Sequence, residues 1–287
     1  METKSTRRYS IRTALSGVGI VACLLPALAY ASDSEEMHPL MTSKYWARVG
    51  VYFSARDFSA SANGSAGGST GGIDFDSTAG LNDRPELFMV EVGWRFSPQW
   101  ELALQHFESE RSASRTLNDS VEWQDLVFDV GVRLEAETSA KITRLFFARQ
   151  FSHKGPHNLR LGAGLHWLSL GASLAGEATL DDLSREFRRS IVKTNLPMPN
   201  IGAWYRYSHS RSWMFSARVD WLSASVDKYK GGIWNAAAGV NYSPWDRFGL
   251  GVSYQFFELD GRISEDQWRG DIQTSFSGPV VYIIGHW

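Results

Sequence analysis

The sequence predicts an all-β fold, a single closed antiparallel barrel of about ten transmembrane strands, with eight and twelve as the alternatives. The first observation is a period-two alternation that recurs along most of the chain. It is clearest over 248–257, where large apolar residues alternate with small or polar ones. The second is that Trp, Tyr and Phe gather near the ends of the alternating segments. Transmembrane barrels combine both features because their outer face contacts lipid between two aromatic belts.

The first 31 residues predict a cleaved secretory signal peptide. Basic residues precede an apolar run over 14–28, and Ala29-Tyr30-Ala31 has the small-x-small pattern of a cleavage site. Export by the twin-arginine route and a lipid anchor at Cys23 are the weaker alternatives. No later stretch reaches the roughly 20 apolar residues of a membrane-spanning helix. A membrane location therefore requires strands.

Composition narrows the class of partner. Cys23 is the only cysteine and leaves with the signal peptide, so disulfides and cysteine metal sites are excluded from the mature chain. Cleavage also removes four basic residues and one Glu, which leaves 25 Lys and Arg against 30 Asp and Glu, a net charge of −5. This charge excludes a nucleic-acid footprint, and we expect membrane lipid or small molecules as partners.

We assign residues 32–43 to a periplasmic tail and 44–287 to the barrel domain. Short connections such as Ser97-Pro98-Gln99 alternate with long polar ones such as 59–84 and 176–197. This order is typical of short periplasmic turns and long extracellular loops. The even number of strands places both chain ends in the periplasm. The predicted strands cover 44–58, 86–97, 100–114, 139–152, 158–172, 199–208, 212–224, 232–243, 247–259 and 270–287.

The segment 121–135 also alternates, through Leu126, Phe128 and Val130. A further spanning strand here would make the strand number odd. We therefore predict a hairpin that extends its two neighbours above the membrane, with its turn near 129–131.

The direction of the apolar face follows from residue size. A soluble barrel would point its apolar residues inward. Here the polar set mixes glycines such as Gly93 and Gly251 with long residues such as Arg160 and Arg218, and this mixture suits a crowded concave interior. We therefore expect the apolar set to face lipid.

Short motifs connect the chain with a known group of proteins. They are Ile73-Asp74-Phe75-Asp76, Gly80-Leu81-Asn82-Asp83, Ser114-Arg115-Thr116-Leu117 and Ser277-Gly278-Pro279, and the chain stops at Trp287 after alternating apolar residues. On these residues it resembles a Gram-negative outer-membrane β-barrel protein, and more narrowly a family of predicted proteobacterial barrels of unassigned function. The resemblance implies the bacterial outer membrane as location and the outer-membrane assembly machinery as a partner during biogenesis. It implies no chemistry.

Charged residues of the inward set form the main candidate site. Unpaired charges are costly in a low-dielectric interior, so these carboxylates and arginines are expected to pair across the lumen. Interior side chains nearly fill a barrel of this size, which predicts a charge-plugged lumen. A narrow channel for small solutes, with a preference for anions, is the alternative because arginines outnumber carboxylates five to three. The predicted lumen charge network is Glu91, Arg95, Glu101, Arg144, Arg160, His166, Arg206, Arg218 and Asp220.

An outer-membrane hydrolase, of the omptin or lipid-A-modifying kind, is the second alternative. Such an enzyme needs catalytic residues at the outer rim or against the outer leaflet, and none of the seven histidines falls in a predicted extracellular loop. His106, Glu108 and Ser109 are the one local group that resembles a base and a nucleophile, but strand geometry puts Ser109 on the opposite face. We predict no catalytic, cofactor or metal site. The leading hypothesis is a monomeric, non-enzymatic structural or surface-interaction protein.

A basic segment offers a second candidate contact. Residues 179–193 place Leu180, Leu183 and Phe187 at helical spacing, which predicts an amphipathic helix capped by Thr179. Such a helix beside the outer leaflet binds lipopolysaccharide phosphates, and an ordinary solvated loop is the equal alternative. The candidate lipopolysaccharide contacts are Arg185, Arg188, Arg189 and Lys193.

Overall fold

The computed structural model describes the backbone of residues 37–63, 71–74, 86–123, 126–179, 185–226, 229–265 and 268–287. Side chains are described in these ranges except at 56–63, 71–74, 121–127, 153, 177–179, 185–194, 196, 223–226, 229–230, 262–265 and 268–272. The predicted signal peptide lies outside the described residues.

Strands make up most of the described chain. A 3-10 turn, Pro39–Met41, precedes them, and in the same residues no helix has the length and apolar character to cross a membrane. In chain order the strands are β1 (Tyr45–Phe53), β2 (Ala55–Asn63), β3 (Gly71–Asp74), β4 (Glu86–Ser97), β5 (Trp100–Thr116), β6 (Val121–Trp123), β7 (Leu126–Phe128), β8 (Arg133–Lys154), β9 (His157–Thr179), β10 (Arg185–Ser208), β11 (Trp213–Val226), β12 (Tyr229–Tyr242), β13 (Phe248–Glu265) and β14 (Trp268–His286).

Ten of these strands close a barrel. Their order around the wall is β1-β4-β5-β8-β9-β10-β11-β12-β13-β14, and β14 pairs with β1 to complete the ring. Strand β2 continues β1 past Ser54 and stays paired with β14, while β3 pairs with β2. All pairings are antiparallel. The predicted single antiparallel barrel of ten strands is confirmed.

The predicted hairpin over 121–135 was wrong in detail. Strands β6 and β7 pair with each other, with Trp123 opposite Leu126, so the hairpin is formed by these two strands and does not have its turn near 129–131. Residues 129–132 instead lead from β7 into β8, with Gly131 at a φ of 85° that favours glycine. Arg133 to Glu135 already belong to β8, where they pair with β5.

The predicted amphipathic helix over 179–193 was also wrong at Thr179 and over 185–193, while Leu180 and Leu183 lie outside the described residues. Strand β10 begins at Arg185 and pairs with β9 along its whole length, with Arg185 opposite Thr179 and Lys193 opposite Gly171. Pairing with β9 satisfies the backbone groups of this segment, so the helical spacing of its apolar residues does not decide its conformation.

Apolar residues cover the outside of the barrel. In β13 the exposed fractions of Phe248, Leu250, Val252, Tyr254 and Phe256 lie between 36% and 59%. The alternate residues of the strand point inward, where Gly249, Gly251 and Gln255 are buried. The predicted direction of the apolar face is therefore confirmed on this strand, and Val92, Leu145, Leu161 and Val219 repeat it on four others.

Several strands are much longer than a bilayer requires. Strands β8, β9 and β10 have 22, 23 and 24 residues, while about 9–11 tilted residues cross a membrane. Tight connections join β4 to β5, β8 to β9, β10 to β11 and β12 to β13 at one end, which we call the short-turn end. The barrel therefore continues beyond the bilayer at the opposite end, the long-strand end.

Substitution of Val252 by Arg tests the direction of the outer face. Val252 is 54% exposed on the outer wall, and a lipid-facing Arg near the bilayer midplane costs about 2–4 kcal/mol. We expect Val252→Arg to lower the free energy of unfolding in lipid vesicles by an amount of this order. Val252→Leu is the control and should leave it unchanged. Equal stability of the two variants would contradict the assignment.

Candidate functional site

The carboxylate of Glu101 gathers more partners than the other described carboxylates of the lumen. Arg206 donates two hydrogen bonds to it, at 2.7 and 3.0 Å, in a bidentate arrangement. The indole Nε1 of Trp46 donates a third at 2.8 Å. The guanidinium groups of Arg160 and Arg95 lie 3.3 and 3.5 Å from Oε2. Glu101 is fully buried, so these groups replace the water that would otherwise solvate its charge.

A second group of charges surrounds Glu91, farther from the short-turn end. Arg48 Nε lies 3.0 Å from Glu91 Oε2, and Arg218 Nη1 donates to Oε1 at 3.2 Å. Arg218 Nη2 also donates to the side-chain oxygen of Gln105 at 2.8 Å. Glu91 therefore connects strands β1, β4 and β11 across the lumen.

A third group is built on Asp220. Arg144 donates to both oxygens of this carboxylate, at 2.6 and 2.8 Å, and both side chains are buried. Asn235 donates to Asp220 Oδ2 at 3.3 Å and contacts His166 Nε2 at the same distance. The other ring nitrogen of His166 lies 3.2 Å from Asn200 Oδ1.

Trp204 joins the Glu101 and Asp220 groups. The guanidinium of Arg144 lies 5.2 Å from the Trp204 ring centroid, and that of Arg206 lies 5.6 Å from it. Trp204 also stacks on Phe146 at 4.9 Å. Cation–π attraction at these distances is strongest when the partners are desolvated, as they are here.

Glycines on the inner wall leave the room that these long side chains need. A Cβ at Gly93 would collide with the indole of Trp46, and a Cβ at Gly251 would collide with the ring of Tyr282. The Trp46 hydrogen bond to Glu101 therefore depends on Gly93 on the neighbouring strand. The network therefore depends on glycines in the inward set, because they leave the space that the long side chains occupy.

Farther toward the long-strand end, aromatic rings cluster in the interior. The ring of Phe107 makes edge contacts with Tyr52, Phe257 and Phe276 at centroid distances of 6.0 to 6.5 Å. All four side chains are at most 2% exposed. The lumen therefore contains two tiers, a charged tier near the short turns and an aromatic tier beyond it.

The residues before β1 pack against the charged tier at the short-turn end of the barrel. Arg95 donates to the carbonyl oxygens of Met41 at 2.6 Å and Leu40 at 3.2 Å, and both of these side chains are buried. The backbone N–H of His38 donates to Ser208 Oγ at 2.7 Å. Burial, together with the nearby His286, lowers the pKa of His38 to about 4. His38 is therefore neutral near pH 7 and adds no charge to this arginine-rich end.

The structure brings all nine residues of the predicted network into the lumen. It divides them among the three carboxylates, and it adds groups that the sequence reasoning missed. Arg48, Trp46 and Trp204 are the main additions. Arg48 was detectable because it alternates with the outward-facing Val49 and Val51 in β1.

The other predicted residues lie apart from this site. Arg185, Arg188, Arg189 and Lys193 stand on β10, and their side chains are outside the described set. His106 is on the outer wall, where its Nδ1 lies 2.8 Å from Thr143 Oγ1, whereas Ser109 is buried. Glu108 pairs instead with Lys141 at 3.2 Å. Among the described residues, no group of three or more His, Cys, Asp or Glu is placed to hold a metal ion.

Comparison with solved structures identifies the fold. The outer membrane protease OmpT from Escherichia coli superposes with a TM-score of 0.53 and 11% sequence identity, over 91% of this chain and all of OmpT. The protein has the fold of an outer-membrane β-barrel. The closed barrel, its apolar outer face and this shared fold support a location in the bacterial outer membrane, as the sequence resemblance implied.

Two further similar structures have lower scores. The toluene transporter TodX of Pseudomonas putida has a TM-score of 0.34 at 8% identity, covering 91% of this chain and 96% of its own. Neisserial surface protein A has a TM-score of 0.26 at 11% identity, covering 85% of this chain and 98% of its own. No protein-family model matches the sequence, and no curated protein matches it at sequence level. The narrower family resemblance stays a prediction.

Removal of the charge on Glu101 tests the network. Glu101→Gln leaves three arginines around a neutral amide in a buried site, and breaking such a group by removing one partner costs about 3–5 kcal/mol. We expect urea unfolding in vesicles to show a loss of this order. Glu108→Gln, which changes an exposed ion pair on the outer wall, is the matched control and should produce no measurable change. Similar effects of the two substitutions would contradict the central role of Glu101.

Proposed function

We propose that this protein is a non-enzymatic outer-membrane barrel with a closed lumen, whose role is structural or lies in contacts at the cell surface. The observation that carries the proposal is the two-tier interior. Ion pairs and hydrogen bonds of the charged tier connect eight of the ten barrel strands: β1, β4, β5, β8, β9, β10, β11 and β12.

Both tiers oppose the opening of a path through the lumen. A conducting path would have to separate buried, bidentate Arg–carboxylate pairs, and it would leave each charge without a partner in a low-dielectric lumen. The same path would have to cross the aromatic tier around Phe107, whose four rings are at most 2% exposed and carry no charge. Pairing of the charges in the resting barrel therefore favours a plug.

A narrow channel is the second candidate, and one observation favours it. Six arginines of the charged tier face three carboxylates, and such an excess of positive charge is the lining that anion pores use. The aromatic tier opposes this candidate. It lies in series with the arginines along the barrel axis, so an ion that passes one tier still meets the other.

A hydrolase is the third candidate because OmpT is a protease and because His106 contacts a hydroxyl on the outer wall. A working His-hydroxyl pair needs a third group that orients the imidazole. In the described part of the chain, the carboxylate nearest in sequence, Glu108, is bound to Lys141 instead. We therefore propose no catalytic role for His106 and Thr143.

Outer-membrane lipid and lipopolysaccharide remain the proposed partners. The helix that first suggested the contact is replaced by strand β10, so the proposal now rests on four basic residues within nine positions of that strand. They are Arg185, Arg188, Arg189 and Lys193, at the long-strand end. These residues belong to the part of β10 that continues beyond the bilayer, and cations there attract the phosphates that lipopolysaccharide carries on the outer side of the membrane. A monomer is part of the same proposal.

Recordings from planar lipid bilayers test closure. We expect the mature protein to produce no discrete conductance steps, because both tiers block the axis. Insertion is verified in parallel by co-flotation with vesicles and by heat-modifiable migration, and an open porin added to the same membrane serves as the positive control. Discrete steps whose size or anion preference changes in Arg218→Gln would overturn the plug and support the channel.

A further inference from the structure

We infer that the lumen holds one small monovalent anion, of chloride size, beside the guanidinium groups of Arg48, Arg206 and Arg218. The inference rests on the closed lumen of the proposed function, to which it adds a bound ligand. It differs from the channel hypothesis because the anion is a fixed counter-ion and does not pass through.

The first support is the charge balance of the charged tier. Its described ionisable groups include six arginines, namely Arg48, Arg95, Arg144, Arg160, Arg206 and Arg218, and three carboxylates, Glu91, Glu101 and Asp220. These groups leave an excess of three positive charges. Protonation of a histidine in the lumen would only increase it. Uncompensated charge is costly away from water, and a bound anion lowers that cost directly.

The second support is a cavity at the place where the excess is concentrated. A cavity of about 40 Å³ is lined by Arg48, Arg206 and Arg218. Small inward residues of three adjacent strands line it as well: Ser216, Ala237, Gly239 and Ser253. Arg206 stands opposite Ser216 and Arg218 opposite Ala237 in the strand register, and both arginines extend away from this wall toward Glu101 and Glu91. The small residues beside them therefore leave the space open.

The third support is a pair of unused donors at the cavity. Gln255 is 2% exposed and lines the cavity, yet its amide Nε2 has no hydrogen-bond partner among the described residues. The Nε of Arg218 is also buried and has no hydrogen-bond partner among the described residues. A buried N–H without an acceptor costs free energy, and an anion provides the acceptor that the surrounding protein atoms do not.

Glu91 also lines the cavity and would by itself repel an anion. Its two oxygens are engaged by Arg48 at 3.0 Å and by Arg218 at 3.2 Å. One carboxylate thus faces two guanidinium groups, and this pair of contacts leaves a net positive charge at the cavity. The bidentate contact of Arg206 is with Glu101, which is itself shared among three arginines.

The charges around the cavity favour a small monovalent anion. The cavity has room for such an ion with water beside it. Glu91 also lines the cavity, so an anion of higher charge would be repelled more strongly. Chloride and bromide are therefore the expected ligands, and gluconate serves as the bulky comparison anion.

The test is unfolding by urea at constant ionic strength while sodium gluconate is replaced by sodium chloride. Urea is used because guanidinium chloride would introduce the ligand itself. Above the dissociation constant, each tenfold increase in chloride should lower the unfolding equilibrium constant about tenfold, as expected for one site on the folded protein. Bromide should reproduce the effect. Identical unfolding curves in chloride and gluconate would overturn the inference.

A matched pair of variants assigns the effect to the cavity. Ala237→Leu fills the space from the inner wall and should abolish the chloride dependence. Ala236→Leu adds the same volume on the lipid side of the same strand and should retain it. Chloride dependence that persists in Ala237→Leu would overturn the site. Should Ala237→Leu not fold, crystals of the unmodified protein soaked in bromide decide, and an anomalous peak absent from this cavity counts against the inference.

The outcomes for closure and for anion binding are distinguishable. A barrel that shows conductance steps contradicts the proposed function whatever its response to chloride. A silent barrel that unfolds identically in chloride and gluconate retains the proposed function and loses only the bound anion.

Discussion

The Glu101 carboxylate is the interaction on which the rest of the lumen depends. It lies at the start of β5 and receives Trp46 from β1, Arg95 from β4, Arg160 from β9 and Arg206 from β10. Half of the barrel strands therefore meet at one charge. Because a buried carboxylate without partners is very unfavourable, this contact favours the register in which all four partners arrive at the same height.

The outer and inner faces of the barrel wall have different roles. The outer surface is apolar and determines where the barrel resides, because a closed ring of strands pairs backbone polar groups between neighbours and leaves no open edge. The inner surface is unevenly filled. Long arginines and aromatic rings project from most of the wall, while at the level of the cavity β11, β12 and β13 also contribute the small residues Ser216, Gly239 and Ser253. This asymmetry explains how long side chains cross the lumen without collision, and it also explains the remaining cavity.

Much of this architecture could be predicted from the sequence because alternation is a local property. The residues over 248–257 identify a strand and its two faces without knowledge of its neighbours. The members of the charge network could likewise be predicted. A charged residue on the inward face of a narrow barrel points into the lumen, where it must pair with another charge. Which arginine meets which carboxylate depends on register between distant strands, and no local pattern encodes it.

The wrongly predicted helix and the missed network residues also result from contacts between segments that are distant in sequence. The apolar spacing after Thr179 indicated a helix, but Gly171 to Thr179 on β9 offered an unpaired edge, and pairing with that distant segment prevailed. Arg48 was missed although its alternation with Val49 was visible, and its ion pair with Glu91 depends on the register between β1 and β4. Trp46 was missed for a different reason, since its inward position depends on the room left by Gly93 on the neighbouring strand, and the pairing of these two residues is not visible locally.

Thiol labelling of a lumen position tests the central claim of a closed interior most directly. The mature chain is expected to contain no cysteine, so Ser253→Cys introduces a single thiol at the cavity, and Ser112→Cys introduces one at an exposed position of β5. A membrane-impermeant maleimide is applied to the folded protein in vesicles. A closed lumen predicts rapid labelling of Ser112→Cys and none of Ser253→Cys until urea unfolds the barrel. Equally rapid labelling of both positions in the folded protein would contradict it.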